Sequence, residues 1–181
     1  MSDPSSRMRA RIPQADPRIF ELFDGWLAAR GDHPVADRAA FDPVTISRML
    51  AFVWIYRMAP DRGDYICELA GEEVNAVWGN SIKGRTLTEI VGPEHRTTLA
   101  GRWARARSEP AILYSATENL PDPHFVHRVE RLVLPMRSRD GEVDSVLGTS
   151  LYDRRTDRIA SGVDTSVAMP AAVLRIPVAE L

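Results

Sequence analysis

The residues of this 181-residue chain best suited to chemistry are four histidines, one cysteine and a set of large aromatics. His124 and His127 stand three apart, with Asp122 beside them. A structural zinc site needs about four convergent ligands, and this turn-rich stretch lacks the partners. His95 opens a basic helical stretch, where a surface or capping role is the plain expectation; His33 sits among turn residues. Cys67 falls inside an alternating apolar run and is expected to be a small buried hydrophobe. No arrangement suggests a Ser-His-Asp triad. Neither glycine-rich nucleotide fingerprint occurs, and "GNSIKG" at 79–84 spaces its glycines wrongly for a phosphate loop. What remains is a candidate small-molecule pocket. Its wall candidates are Trp54, Tyr56, Cys67, Trp78, Leu87, Trp103 and Tyr114. Ligand pockets combine apolar walls with a few directed polar groups, and the same residues also suit an ordinary core.

The elements that must position these residues are legible in the periodicity. Val129–Met136 and Val143–Leu151 are apolar, β-branched segments joined by Ser138, Arg139, Asp140 and Gly141. They predict an antiparallel hairpin with a loop longer than two residues. A lone hairpin is marginal, so further strands or a covering helix are required. "AFVWIYRM" at 51–58 and "DYICELAG" at 64–71 supply two earlier strands, and "AILYSAT" at 111–117 a third. Between them the period becomes helical, with Glu72 to Trp78 as a short helix and a longer one from Pro93 to about Arg107. Arg96, Arg102, Arg105 and Arg107 make the longer helix basic, as a solvated exterior would be. Glu130 and Arg131 point to opposite faces of their strand, so that one of them could pair elsewhere or point into a polar cavity, with exposed edge-strand charge as the plainer expectation for both.

Asp16-Pro17 reads as a helix entry, followed by Ile19, Phe20, Leu22, Phe23, Trp26 and Leu27 at helical spacing, and Gly31 as a stop. Three large aromatics on one helix exceed what simple packing demands. Phe20, Phe23, Trp26 and Leu27 are therefore candidates for a homodimer interface. Asp42-Pro43 offers another helix entry. Residues 1–15, with Arg7, Arg9 and Arg11, read as a flexible solvated tail. Residues 16–153 form the domain, and 154–181 an extension in which "AAVLRIPV" either adds a strand or packs back.

Net charge is -2, which gives no general attraction to nucleic acid or anionic membrane. One cysteine excludes an internal disulfide framework. No signal-peptide pattern or run of 18 apolar residues occurs, so a cytoplasmic protein without a membrane span is expected.

The order of two strands, short helices and three strands resembles the PAS fold. Specifically, the chain resembles a bacterial single-domain PAS family common in alphaproteobacteria. The resembling stretches are "LFDGWLAARGDHPVADRAAFDP" at 22–43, "YICELAGEEVNAVWGNSIKGRTLTEI" at 65–90 and "VERLVLP" at 129–135. The resemblance implies an α+β fold: a five-stranded antiparallel sheet with short covering helices and an N-terminal flanking helix. It also implies a regulatory or sensory module. Haem held by a helical histidine such as His95 is disfavoured. Flavin photochemistry is disfavoured too, because Cys67 lies in a strand, outside any helical flavin motif.

The expected function is a cytoplasmic, non-enzymatic sensory or protein-interaction module, acting in trans on a signalling partner, with a small-molecule ligand as a candidate input. An unliganded structural adaptor is one alternative. A small enzyme with a cone-shaped α+β pocket is the other; it would need convergent Asp, Glu or His residues, which the pattern disperses.

Overall fold

The structure is a computed structural model that describes residues 3–118, 126–154 and 172–181. In chain order the elements are α1 (Pro4–Arg11), α2 (Pro17–Arg30), β1 (Ala36–Asp37), a 3-10 segment (Pro43–Phe52), β2 (Val53–Ala59) and β3 (Asp64–Ala70). There follow α3 (Glu72–Trp78), α4 (Leu87–Ser108), β4 (Ala111–Glu118), β5 (Val126–Arg137), β6 (Ser145–Arg154) and β7 (Leu174–Pro177). The strands run in the order β3-β2-β6-β5-β4-β7, each antiparallel to its neighbour. The short β1 lies parallel to β5 at Met136 and Arg137.

Both faces of this sheet are covered, and period-two alternation sorts its side chains between two cores. Val53 and Ile55 of β2, Leu132 and Leu134 of β5, and Leu147 of β6 join the core beneath α1 and α2. Trp54 and Tyr56, Leu113, Val133 and Val146 join the opposite core beneath α3 and α4. The helix starts follow from capping chemistry. The Asp16 carboxylate accepts from the Arg18 N–H at 2.9 Å, and Pro17 occupies the first turn. Thr86 and Glu89 cap α4 reciprocally. α4 bends at Gly92, whose φ of 79° precedes Pro93, so the run is two helical pieces rather than one rod. Gly71 is needed for close approach: a Cβ there would lie 2.2 Å from the Leu50 carbonyl oxygen.

The bend in α4 is tied to the sheet by Asp64. Its buried carboxylate accepts from the Thr88 N–H at 3.0 Å, the Thr88 hydroxyl at 2.7 Å and Arg96 Nε at 3.2 Å. Burial pulls this carboxyl group up, but the donors outweigh it and hold it below its ordinary value. The outer edge of β3 is occupied by the residues before α4. The Cys67 N–H donates to the Arg85 carbonyl at 3.0 Å, and the Gly84 N–H to the Cys67 carbonyl at 2.7 Å.

Four expectations need correction. Residues 4–11 are helical rather than a loose tail, because Asp3 caps α1 and Met8 and Ile12 are fully buried against α2 and the sheet. Arg9 pairs with Asp24 at 3.0 Å, and Arg11 with Glu180 at 2.6 Å. The interface candidates Phe20, Phe23 and Trp26 are buried in the chain's own core, and half-buried Leu27 packs against it. Trp26 Nε1 donates to the Pro135 carbonyl at 2.8 Å. These aromatics cover a sheet face rather than presenting a surface. The basic helix is not simply solvated either. Arg96 binds Asp64, and Arg107 donates to the Tyr65 hydroxyl at 2.8 Å and the Val143 carbonyl at 2.6 Å. Glu130 is 3% exposed on a central strand, not an edge charge.

In the extension, Leu174–Pro177 adds a strand beside β4. The proposed turn with Asp122 and His124, and the charged run after Arg154, lie outside the described residues.

Candidate ligand cavity

Trp103, on the inner face of α4, organises the space between the helices and the sheet. Its ring centroid is 5.5 Å from that of Trp54 and 5.1 Å from those of Tyr56 and Tyr65. The Trp54 ring is stacked on it and the Tyr65 ring meets it edge-on, both favoured aromatic geometries. Trp54 is itself fixed at both ends. Its Nε1 donates to the Ser150 hydroxyl at 3.0 Å. Its six-membered ring lies on Gly148, the residue paired with it across β2 and β6, where a Cβ would fall 2.2 Å from the ring.

Beside this cluster is a cavity of about 90 Å³. Trp54 and Tyr56 form its sheet side; Trp78, Ile82, Leu87 and Trp103 come from the helical cover and the loop before α4. Its polar wall residues are Arg102, Ser115, Arg131, Ser150 and Tyr152. Three of these form a row across the sheet: Ser115 pairs with Arg131 between β4 and β5, and Arg131 with Ser150 between β5 and β6. Burial lowers the proton affinity of the Arg131 guanidinium, and the neighbouring Tyr152 phenol opposes that effect. The volume is well below the roughly 300–1,000 Å³ of drug-sized pockets, so this space suits a small molecule.

On the other face of the same strand, Glu130 collects three donors. The Asp16 N–H reaches it at 2.9 Å, the Tyr114 hydroxyl at 3.0 Å and Arg128 Nη2 at 3.1 Å. Burial, then the Glu130 charge, pushes the Tyr114 phenol's pKa up. Adjacent to this network is a polar cavity of about 390 Å³, bounded by Asp16, Arg18, Arg128 and Glu130 among others. Its charges pair with one another: Arg18 with Asp16 at 2.8 Å, Arg128 with Glu130 at 3.1 Å.

A family model described as a PAS domain (PAS_5) matches residues 15–151, most of the chain. The chain belongs to the PAS domain family. The crystal structure of a sensory box sensor histidine kinase from Vibrio cholerae aligns with this PAS domain at a TM-score of 0.42 and 19% identity, covering 60% of this chain and 84% of that one. No curated protein matches the sequence.

Of the wall candidates in this PAS domain, Trp54, Tyr56, Trp78, Leu87 and Trp103 line the cavity. Cys67 belongs to the same core but lies behind the wall, its thiol donating to the Leu69 carbonyl at 3.3 Å. Tyr114 is a correction: it faces the opposite core and Glu130, while its neighbours Leu113 and Ser115 face the cavity. Arg102, Arg131, Ser115, Ser150 and Tyr152 were not among the candidates. The "VERLVLP" stretch held the available signal, since strand alternation aims Arg131 away from Glu130. His33 is exposed and His95 half-buried, neither at the cavity. Among the described residues, no group of three or more His, Cys, Asp or Glu side chains is arranged to hold a metal ion. Among them too, no helix is long and apolar enough to cross a membrane.

Proposed function

We propose that this PAS domain is a non-enzymatic sensory module that binds a small molecule and regulates a signalling partner in trans. The observation that carries this reading is the aromatic cavity beneath α3 and α4, into which the sheet directs a short polar row. A wall of large apolar side chains with few polar groups is the composition of a ligand site.

The output route rests on β5. A ligand contacting Arg131 acts one residue from Glu130, which holds the backbone at the start of α2 through the Asp16 N–H. A ligand that favours one arrangement of β5 would bias the seating of α2 by the difference in its affinity for the two arrangements.

Native mass spectrometry of the gently purified full chain tests the reading. A stoichiometric added mass, lost on denaturation, is the expected result. A chain without added mass that still captures a signalling protein would favour an unliganded adaptor and overturn the sensory reading.

A further inference from the structure

Ser115 lies on β4, is 6% exposed and lines the cavity. Among the described residues its hydroxyl has no hydrogen-bond partner. The polar groups near it are already engaged. The guanidinium of Arg131, the residue paired with Ser115 across β4 and β5, hydrogen-bonds the Tyr152 phenol. Arg102 has interactions of its own within the chain. The Ser150 hydroxyl accepts from Trp54 Nε1 at 3.0 Å. A serine hydroxyl offers one donor and two acceptor sites, and burying it without a partner is unfavourable. The ground beside Ser115 is apolar. Leu113 stands two residues away on the same face of β4, and Val133 pairs with it on β5. Leu99 and Trp103 line the cavity from α4.

Resting on the sensory reading above, the geometry points to a small uncharged phenol as the ligand, its hydroxyl at Ser115 and its ring between the Leu113–Val133 pair and Trp103. Two hydroxyls suit one another, since each both donates and accepts. A carboxylate or phosphate would leave water for a wall of large apolar side chains and compete with Tyr152 for Arg131, and a buried charge without full compensation is costly. A cation would meet the guanidinium groups of Arg102 and Arg131 in the same small space. The cavity's about 90 Å³ limits the body to a single ring. The hydroxyl end then lies beside Arg131, on the strand whose Glu130 holds the start of α2.

Isothermal titration of the full chain with phenol, toluene and benzoate tests the assignment. At about pH 7, where a phenol is uncharged, phenol should bind saturably and more tightly than benzoate. Ser115→Ala should weaken phenol about five- to fiftyfold, the loss expected when a buried hydroxyl is left without a partner, and change toluene by less than about twofold. Benzoate binding as tightly as phenol overturns the assignment, and so does a folded Ser115→Ala chain that weakens phenol no more than toluene. If Ser115→Ala does not fold, the comparison of phenol with benzoate in the wild-type chain decides alone. Failure of phenol to bind a chain that retains a native ligand also overturns the assignment and leaves the sensory reading standing. Failure of all three probes, with no retained ligand, overturns both.

Discussion

Glu130 and Arg131 are consecutive on β5 and serve opposite faces of the sheet: Glu130 accepts the Asp16 N–H at 2.9 Å, and Arg131 lines the aromatic cavity. One peptide unit thus separates the anchor of α2 from the charged wall of the cavity. Glu130→Ala should remove an acceptor shared by the Asp16 backbone, Tyr114 and Arg128. A buried donor left unsatisfied costs about 1–3 kcal/mol. Urea denaturation should register a loss of that size or more, and a change under about 0.5 kcal/mol would show that the network contributes nothing.

Gly148→Ala probes the floor of the cavity. The added methyl would meet the Trp54 ring at 2.2 Å, so the indole must move and its hydrogen bond to Ser150 must lengthen or break. Overpacking of this kind costs roughly 1–3 kcal/mol. Near-ultraviolet circular dichroism should change with the Trp54–Trp103 stacking. An unchanged spectrum with unchanged stability would contradict the contact.

Asp64 gives an acid dependence of definite sign. Its folded-state carboxyl group is held below the ordinary value by donors from Thr88, Tyr65 and Arg96, which outweigh burial. Its stabilisation is complete above the ordinary value of 3.8 and is lost as pH falls through the lower folded value. Asp64→Asn should therefore be less stable than wild type at neutral pH, and the gap should close on acidification below about pH 4. A gap that stays constant down to pH 2 would refute the assignment.

Cys67 behaves in the opposite direction. Burial pushes its thiol up to about 11, although Tyr56 pulls the other way. The thiolate is the reactive form, so the native chain should alkylate far more slowly with iodoacetamide at pH 8 than the urea-unfolded chain. The associated stability is present below the ordinary value of 9.0 and lost as pH rises towards about 11. Equal alkylation rates for folded and unfolded chains would place the thiol at the surface.

Trp26→Ala separates core from interface. Trp26 is fully buried and donates to the Pro135 carbonyl, so the substitution should cost about 3–5 kcal/mol. A protein that keeps its melting temperature but changes its sedimentation would return Trp26 to an intermolecular role.

The five main strands, α3, the helical run from Pro93 and the capped start of α2 were legible because each has a local cause: alternation, helical spacing, proline or a capping side chain; the start of α4 at Leu87, capped by Thr86, was not. What was not legible depends on register. In "AILYSAT" both faces are rich in apolar residues, so alternation alone cannot say whether Tyr114 or Ser115 meets the cavity. Pairing Ser115 with Arg131 decides it, and that pairing is a long-range fact. Gly148 was hidden for the same reason, since its role is defined by the indole lying across it from another strand. The helix at 4–11 has mostly polar and charged residues, and only its tertiary contacts at Met8 and Ile12 bury it. The excess of aromatics on α2 was real, but a wide sheet face, not a second subunit, absorbs it.

The margins of the sheet carry a last consequence. Leu174–Pro177 lies along β4, ending in a proline that has no amide hydrogen to offer, and the stretch around Gly84 and Arg85 bonds along β3. On one side the edge strand is now β7, four residues long and closed by proline, and on the other part of β3 is already bonded, so an incoming strand finds little to pair with. Polymerisation through this sheet would therefore proceed by exchange, with the C-terminal segment peeling away first, and shortening the chain before Leu174 should turn a protected rim into an adhesive one.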